Sequence, residues 1–230
     1  MTTFSSIAYA DCFSGVSGDM LLGALLHCGV PKQFLEESIA KLDIGNIEIT
    51  VSAVKACGIG SCKVDIAGQA DQQLRHLSSI AAILEKSDLP ADITATSMEV
   101  FTVLARAEAK VHATDIEQVH FHEVGAIDTI VDIVGSIASL QWLGINRLVV
   151  APVPAPRGFV TCAHGKLPLP APAVCEILQD VPCYGVDIDQ ELVTPTGAAL
   201  IKVLAKDFGP MPPMIPTVTG YGAGARKLPN

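Results

Sequence analysis

The segment from Ile127 to Leu143 constrains this chain most. Ile127, Ile130, Val131, Ile133, Val134, Ile137 and Leu140 cover nearly the whole circumference of the helix that the segment predicts. A helix that is apolar all round is buried, not amphipathic, so other elements must wrap around it. Asp128 and Asp132 lie in this helix, one turn apart on a shared face. A carboxylate at Asp132 is costly to bury without a cation or good donors, so Asp132 points to function more than Asp128 does. Asp128 and Thr129 are also natural helix caps.

His120-Phe121-His122-Glu123 comes just before this helix. In an extended chain, alternation puts both imidazoles on one face and Phe121 on the other. Imidazole and carboxylate are the usual ligands of divalent transition metals. His120, His122, Glu123, Asp128 and Asp132 are therefore candidate metal ligands. The competing reading is a polar turn feeding a buried helix.

Two other stretches read as helix starts suited to an anion. Ile7 to Ala10 predicts a buried strand and Met20 to Cys28 a helix, joined by a loop of small residues. Ser14, Gly15, Ser17, Gly18 and Asp19 would present free backbone N–H groups at a positive dipole end. No Gly-Lys-Ser/Thr follows, so this is not a Walker A loop, and Ser17 or Asp19 acting only as a cap is the alternative. Further on, Thr194 reads as a cap with Pro195 at the first helical position. Thr196 and Gly197 complete a second hydroxyl- and glycine-bearing helix start.

Between these stretches the patterning predicts helices within Pro31–Lys41, Asp71–Lys86 and Thr94–Val111, and a hairpin from Ile47–Val51 and Lys63–Ile66. Arg147 to Ala151 reads as a core strand. Pro152, Pro154, Pro156, Pro168, Pro170 and Pro172 then rule out a central strand or helix interior. The expectation is a stiff, extended loop system of the kind that binds ligands. His164 lies within it as a candidate ligand or acid/base, or simply a turn histidine. Gly220 to Gly224 reads as a flexible glycine loop. This order is not a clean βαβ alternation, so the fold class is α/β (mixed α+β), a mixed sheet flanked by helices. The region 1–230 reads as one domain, with a candidate internal boundary near 68–71.

Composition narrows the function. The net charge of −9 disfavours nucleic acid as a partner. No apolar run reaches the length of a membrane span. The seven cysteines are odd in number and contain no Cys-x-x-Cys pair. With no secretory signal peptide, they read as reduced thiols in a cytoplasmic protein.

Five motifs carry a resemblance over almost the whole chain. They are Asp11-Cys12-Phe13-Ser14-Gly15-Val16-Ser17-Gly18-Asp19-Met20, the His120-to-Asp132 segment, the run from Thr161 to Ala173, the run from Leu192 to Ala199, and Gly220-Tyr221-Gly222-Ala223-Gly224. In this order they resemble the N-terminal region of the LarC family, the nickel insertion proteins that complete the nickel-pincer cofactor of lactate racemase. The resemblance implies a cyclometallase that inserts Ni²⁺ into pyridinium-3,5-bisthiocarboxylic acid mononucleotide. It also implies CTP as cosubstrate, with Mg²⁺ or Mn²⁺. Complete members of that family continue into a C-terminal domain associated with CTP, and the expectation is that this domain is absent here. The expectation is that full activity needs that region, with a separate C-terminal LarC chain as partner if the gene is split. A homo-oligomer is left open.

On this reading His120, His122 and Glu123, with Asp128 and Asp132, hold or deliver nickel. Glu123, His164 and Asp132 are the candidate catalytic groups. Ser14 to Asp19 or Thr194 to Gly197 takes the phosphate. Two alternatives are a non-catalytic nickel- and substrate-binding half, and a metal-dependent phosphohydrolase using the same carboxylates.

Overall fold

The structure is a computed structural model and describes residues 6–56, 58–68, 76–119, 121, 127–162 and 165–225. Strand β1 (Ser6–Ala10) is followed by α1 (Gly18–His27) and α2 (Lys32–Ala40), then the hairpin β2 (Ile47–Ala56) and β3 (Ile59–Gly68). Helices α3 (Leu77–Lys86), α4 (Ala91–His112) and α5 (Ile127–Trp142) come next, followed by β4 (Ile145–Val150). The last third holds β5 (Val153–Ala155), β6 (Phe159–Cys162), β7 (Gly165–Pro168), α6 (Pro172–Ile177), β8 (Cys183–Gly185), α7 (Pro195–Leu204), β9 (Ala205–Phe208) and β10 (Gly222–Ala223).

Helix α5 is the axis of the core. Every residue from Thr129 to Leu140 is buried, as its all-round apolar sequence requires. It packs against α1, α2, α4, β3 and β4. Gly135 permits close approach of α1 and α2, since a methyl group there would fall 2.7 Å from Leu35 and 3.2 Å from Leu22.

Helices and sheets are mixed as expected, but the strands form several sheets. One is parallel, in the order β1-β4-β9, with Ala10 opposite Val150. The second is the β2–β3 hairpin with β10 added parallel to β3 at Cys62 and Lys63. Helix α1 lies against this second sheet. A Cβ on Gly23 would meet the Cys62 carbonyl oxygen at 2.6 Å, and one on Gly222 would meet that of Met20 at 1.7 Å.

Two local expectations change. The proline-rich stretch contains short strands: β5 pairs with β8 through Pro154, and β6 pairs with β7, which ends on Pro168. Two-stranded pairs leave free edges, where a missing N–H costs no ladder bond. The glycine stretch near 222 is a paired strand and not a free loop, because the Tyr221 carbonyl accepts from Cys62 N at 2.8 Å. The boundary expected near 68–71 crosses residues 69–71, outside the described set. No helix among the described residues is long and apolar enough to cross a membrane.

Candidate functional site

The parallel sheet directs β1 and β4 so that both carboxyl ends open on one side. In open parallel sheets, ligands bind beyond those ends. The loop leaving β1 begins with a tight turn in which Gly15 N donates to the Cys12 carbonyl at 2.8 Å. Gly15 has φ +97°, and a Cβ there would lie 1.9 Å from the Leu192 carbonyl oxygen, so only glycine fits.

The two anion-suited stretches, far apart in sequence, meet here. Val16 N donates to Leu192 O at 2.9 Å and Thr194 N donates to Val16 O at 3.1 Å, so Val16 and Val193 form a parallel bridge. Gly197, in the first turn of α7, faces the same backbone. A Cβ on it would come within 2.3 Å of Val16 O and 2.8 Å of Ser17 Cα. The starts of α1 and α7 are therefore held side by side, with Ser17, Gly18, Asp19, Thr194, Thr196 and Gly197 in one locality. Thr194 caps α7 as its sequence indicates, its hydroxyl accepting from Gly197 N at 3.1 Å.

At α1 the capping differs. Ser17 occupies the cap position, but its side chain makes no cap bond to the helix. Its hydroxyl donates to Asp19 Oδ1, which also accepts from Met20 N at 2.9 Å. The first intrahelical donor is Leu21, bonded to Ser17 O at 3.1 Å. The N–H groups of Gly18 and Asp19 thus precede the helical ladder, at the positive end of the dipole.

Asp132 stands directly behind this helix start. It is 9% exposed, and a Cβ on Gly18 would fall 2.4 Å from its Oδ2. Its Oδ1 is buried and has no hydrogen-bond partner among the described residues. Burial holds the carboxyl well above the ordinary carboxylate range, and the nearby Asp19 and Asp128 carboxylates raise it further. Asp128 is exposed, its Oδ1 accepting from Thr129 N at 2.7 Å. Helix α5 already begins at Ile127, so Asp128 and Thr129 lie inside its first turn and neither takes the cap position expected from the sequence. Packing thus separates the two carboxylates by burial, Asp132 inside and Asp128 at the surface.

Cys12 in the same loop is buried, which pushes its thiol up to about 12, with help from Asp11. A thiol so held stays protonated at neutral pH and is a poor nucleophile. The ring of Phe13, between Cys12 and Ser14, is 63% exposed. Sequence patterning did not single it out, because exposure of one aromatic in a loop has no periodic signal.

His120, His122, Glu123 and His164 lie outside the described residues. Nearby, Val119 and Phe121 are in the core at 3% and 2% exposure, and the Val119 carbonyl is 3.1 Å from His76 Nδ1. Among the described residues alone, no three His, Cys, Asp or Glu side chains are grouped to hold a metal ion. Asp128 and Asp132 would therefore need partners from elsewhere to do so.

A family model described as "Nickel insertion protein" matches residues 8–230. The chain is 54% identical to a "Putative nickel insertion protein" of Desulfotalea psychrophila, over 98% of this chain and 58% of that protein. It is 47% identical to a "Pyridinium-3,5-bisthiocarboxylic acid mononucleotide nickel insertion protein" of Desulfitobacterium hafniense, over 96% of this chain and 55% of that protein. The chain thus spans somewhat more than half the length of these curated relatives. No solved structure matches.

Proposed function

The chain belongs to the nickel insertion protein family, and from that membership we propose that it takes part in CTP-dependent insertion of nickel into pyridinium-3,5-bisthiocarboxylic acid mononucleotide, making the nickel-pincer cofactor. The observation that carries the reading is the bridge between Val16 and Val193, which joins two helix starts beside the buried Asp132. Two adjacent helix N-termini bearing Ser17, Thr194 and Thr196 suit a phosphate, the one fixed anion that every mononucleotide carries. The phosphate would anchor the substrate and leave its ring free for metal chemistry.

Nickel is substrate here. His120, His122 and Glu123, with Asp128 and Asp132, are the residues assigned to hold and deliver it. Imidazole and carboxylate bind Ni²⁺ well but less tenaciously than a thiolate cage would. A delivery site needs that balance, because the metal must leave for the two thiocarboxylate sulfurs. Forming the Ni–C bond also displaces a ring proton. Glu123 or His164 is the assigned acceptor, each suited to take a proton if within hydrogen-bond reach. Asp132 could accept that proton only as the carboxylate, the form that burial disfavours and a bound cation would restore. CTP and Mg²⁺ or Mn²⁺ complete the reaction in this reading, together with the C-terminal region or a separate chain that carries it.

The test is nickel stoichiometry and transfer. The chain is loaded with Ni²⁺, and metal per chain is measured for the parent and for the His120→Ala/His122→Ala variant. Mononucleotide and CTP are then added, and the nucleotide is examined by mass spectrometry for bound nickel. Nickel bound by the parent and lost in the variant supports the ligand assignment; unchanged stoichiometry refutes it. Nickel binding without a nickel-bearing product would make this chain a binding half that works with a partner. Phosphate release from simple esters without nickel transfer would favour a phosphohydrolase.

A further inference from the structure

Among the described residues, three exposed aromatic rings besides Phe13 have partners, while Tyr184, 42% exposed on strand β8, has no ring or cation contact. Trp142, 47% exposed, lies with its ring centroid 6.2 Å from that of Phe34, and Tyr221, 43% exposed, lies 6.2 Å from His27. Phe159, 59% exposed, carries the Lys166 ammonium 4.5 Å from its ring centroid. Phe13 is the most exposed aromatic among the described residues at 63%, and no ring or cation contact is recorded for it. An unburied Phe forgoes apolar burial, which a folded chain recovers only if something covers the ring.

The backbone beneath this ring is fixed. Phe13 is the second residue of the turn closed by Gly15 N and Cys12 O at 2.8 Å. Cys12 before it is buried at 5% and Val16 after it at 4%. Val16 is tied in turn to Leu192 and Thr194 by two backbone bonds. The ring therefore stands on a pinned turn at the carboxyl end of β1, four residues ahead of the α1 cap, in the loop assigned to the phosphate.

We infer that Phe13 is a positioning residue that stacks on the heteroaromatic ring of the bound mononucleotide. The inference rests on the function proposed above, and deepens it by assigning the ring's subsite. A pyridinium is planar and cationic, so the negative face of a phenyl ring attracts it both by stacking and by its quadrupole. Phosphate at the helix starts and ring on Phe13 would fix the nucleotide at both ends. That is the orientation a metal-insertion step requires.

The test measures affinity of the full chain for two probes, the pyridinium mononucleotide and ribose 5-phosphate, which keeps the phosphate and sugar but lacks the ring. In Phe13→Ala, affinity for the mononucleotide should fall about tenfold or more, the scale of one lost aromatic–base stack. Affinity for ribose 5-phosphate and the melting temperature should stay at parental values. Phe13→Tyr should restore mononucleotide binding. Equal mononucleotide affinity in Phe13→Ala and the parent would overturn the inference while leaving the functional reading intact. Equal losses for both probes would overturn it too, by showing that the turn and not the ring is at work. If the parent itself binds no mononucleotide, the functional reading fails and the inference falls with it.

Discussion

Gly18 and Asp132 touch: the first residue of α1 lies so close to the second turn of α5 that a Cβ on Gly18 would sit 2.4 Å from Asp132 Oδ2 and 2.7 Å from its Cβ. Asp132 is held in a buried helix and cannot retreat. Gly18→Ala should therefore overpack the contact and destabilise the fold by about 1–3 kcal/mol. Urea unfolding checks this. A midpoint equal to that of the parent would show that the two helices have room to part.

The same contact gives Asp132 a signature in pH. Its carboxyl is raised by burial, then by Asp19 and Asp128, so the folded state holds this proton more tightly than the unfolded chain. Where the folded state binds more protons, stability falls as pH rises. The loss begins near the ordinary carboxylate value of 3.8, continues up to the raised value and is constant above it. Asp132→Asn carries no such titration, so its stability relative to the parent should climb through that window. A difference between the two that is flat from acid to neutral pH would contradict the burial account.

Thr194 offers a measurement confined to α7. Its hydroxyl accepts from Gly197 N at 3.1 Å while its backbone N–H bonds to Val16 O. Thr194→Ala removes only the first of these, so a cost of about 1 kcal/mol is expected, the usual worth of a cap. Thr194→Ser should recover most of it in the same unfolding experiment. A serine variant no better than alanine would mean that the methyl group, not the cap, matters.

What could be read from the sequence were the features with local causes. The all-round apolar run dictated a buried α5, and Thr194-Pro195 dictated the start of α7. The cost of burying Asp132 was legible for the same reason, because it follows from the residues on its own helix. The short strands around Pro154 and Pro168 were not legible, since which strand edge stays free depends on partners distant in the chain. Nor was the pairing of Gly222 with Cys62, or the bridge between Val16 and Val193. The latter holds the starts of α1 and α7 together, and its requirement for Gly15 and Gly197 shows only when Leu192 O and Val16 O are seen against them. The imidazoles of His120, His122 and His164 fall outside the described residues, so their contribution rests on the functional proposal.

The central claim is that the joined starts of α1 and α7 hold a mononucleotide by its phosphate. The most direct measurement compares the affinity of this chain for the pyridinium mononucleotide with that for the same nucleoside lacking its phosphate. Loss of the phosphate should weaken binding by about tenfold to a hundredfold, the worth of one hydrogen bond to a charged group. Equal affinity for the two would contradict the claim and leave the paired helix starts as packing alone.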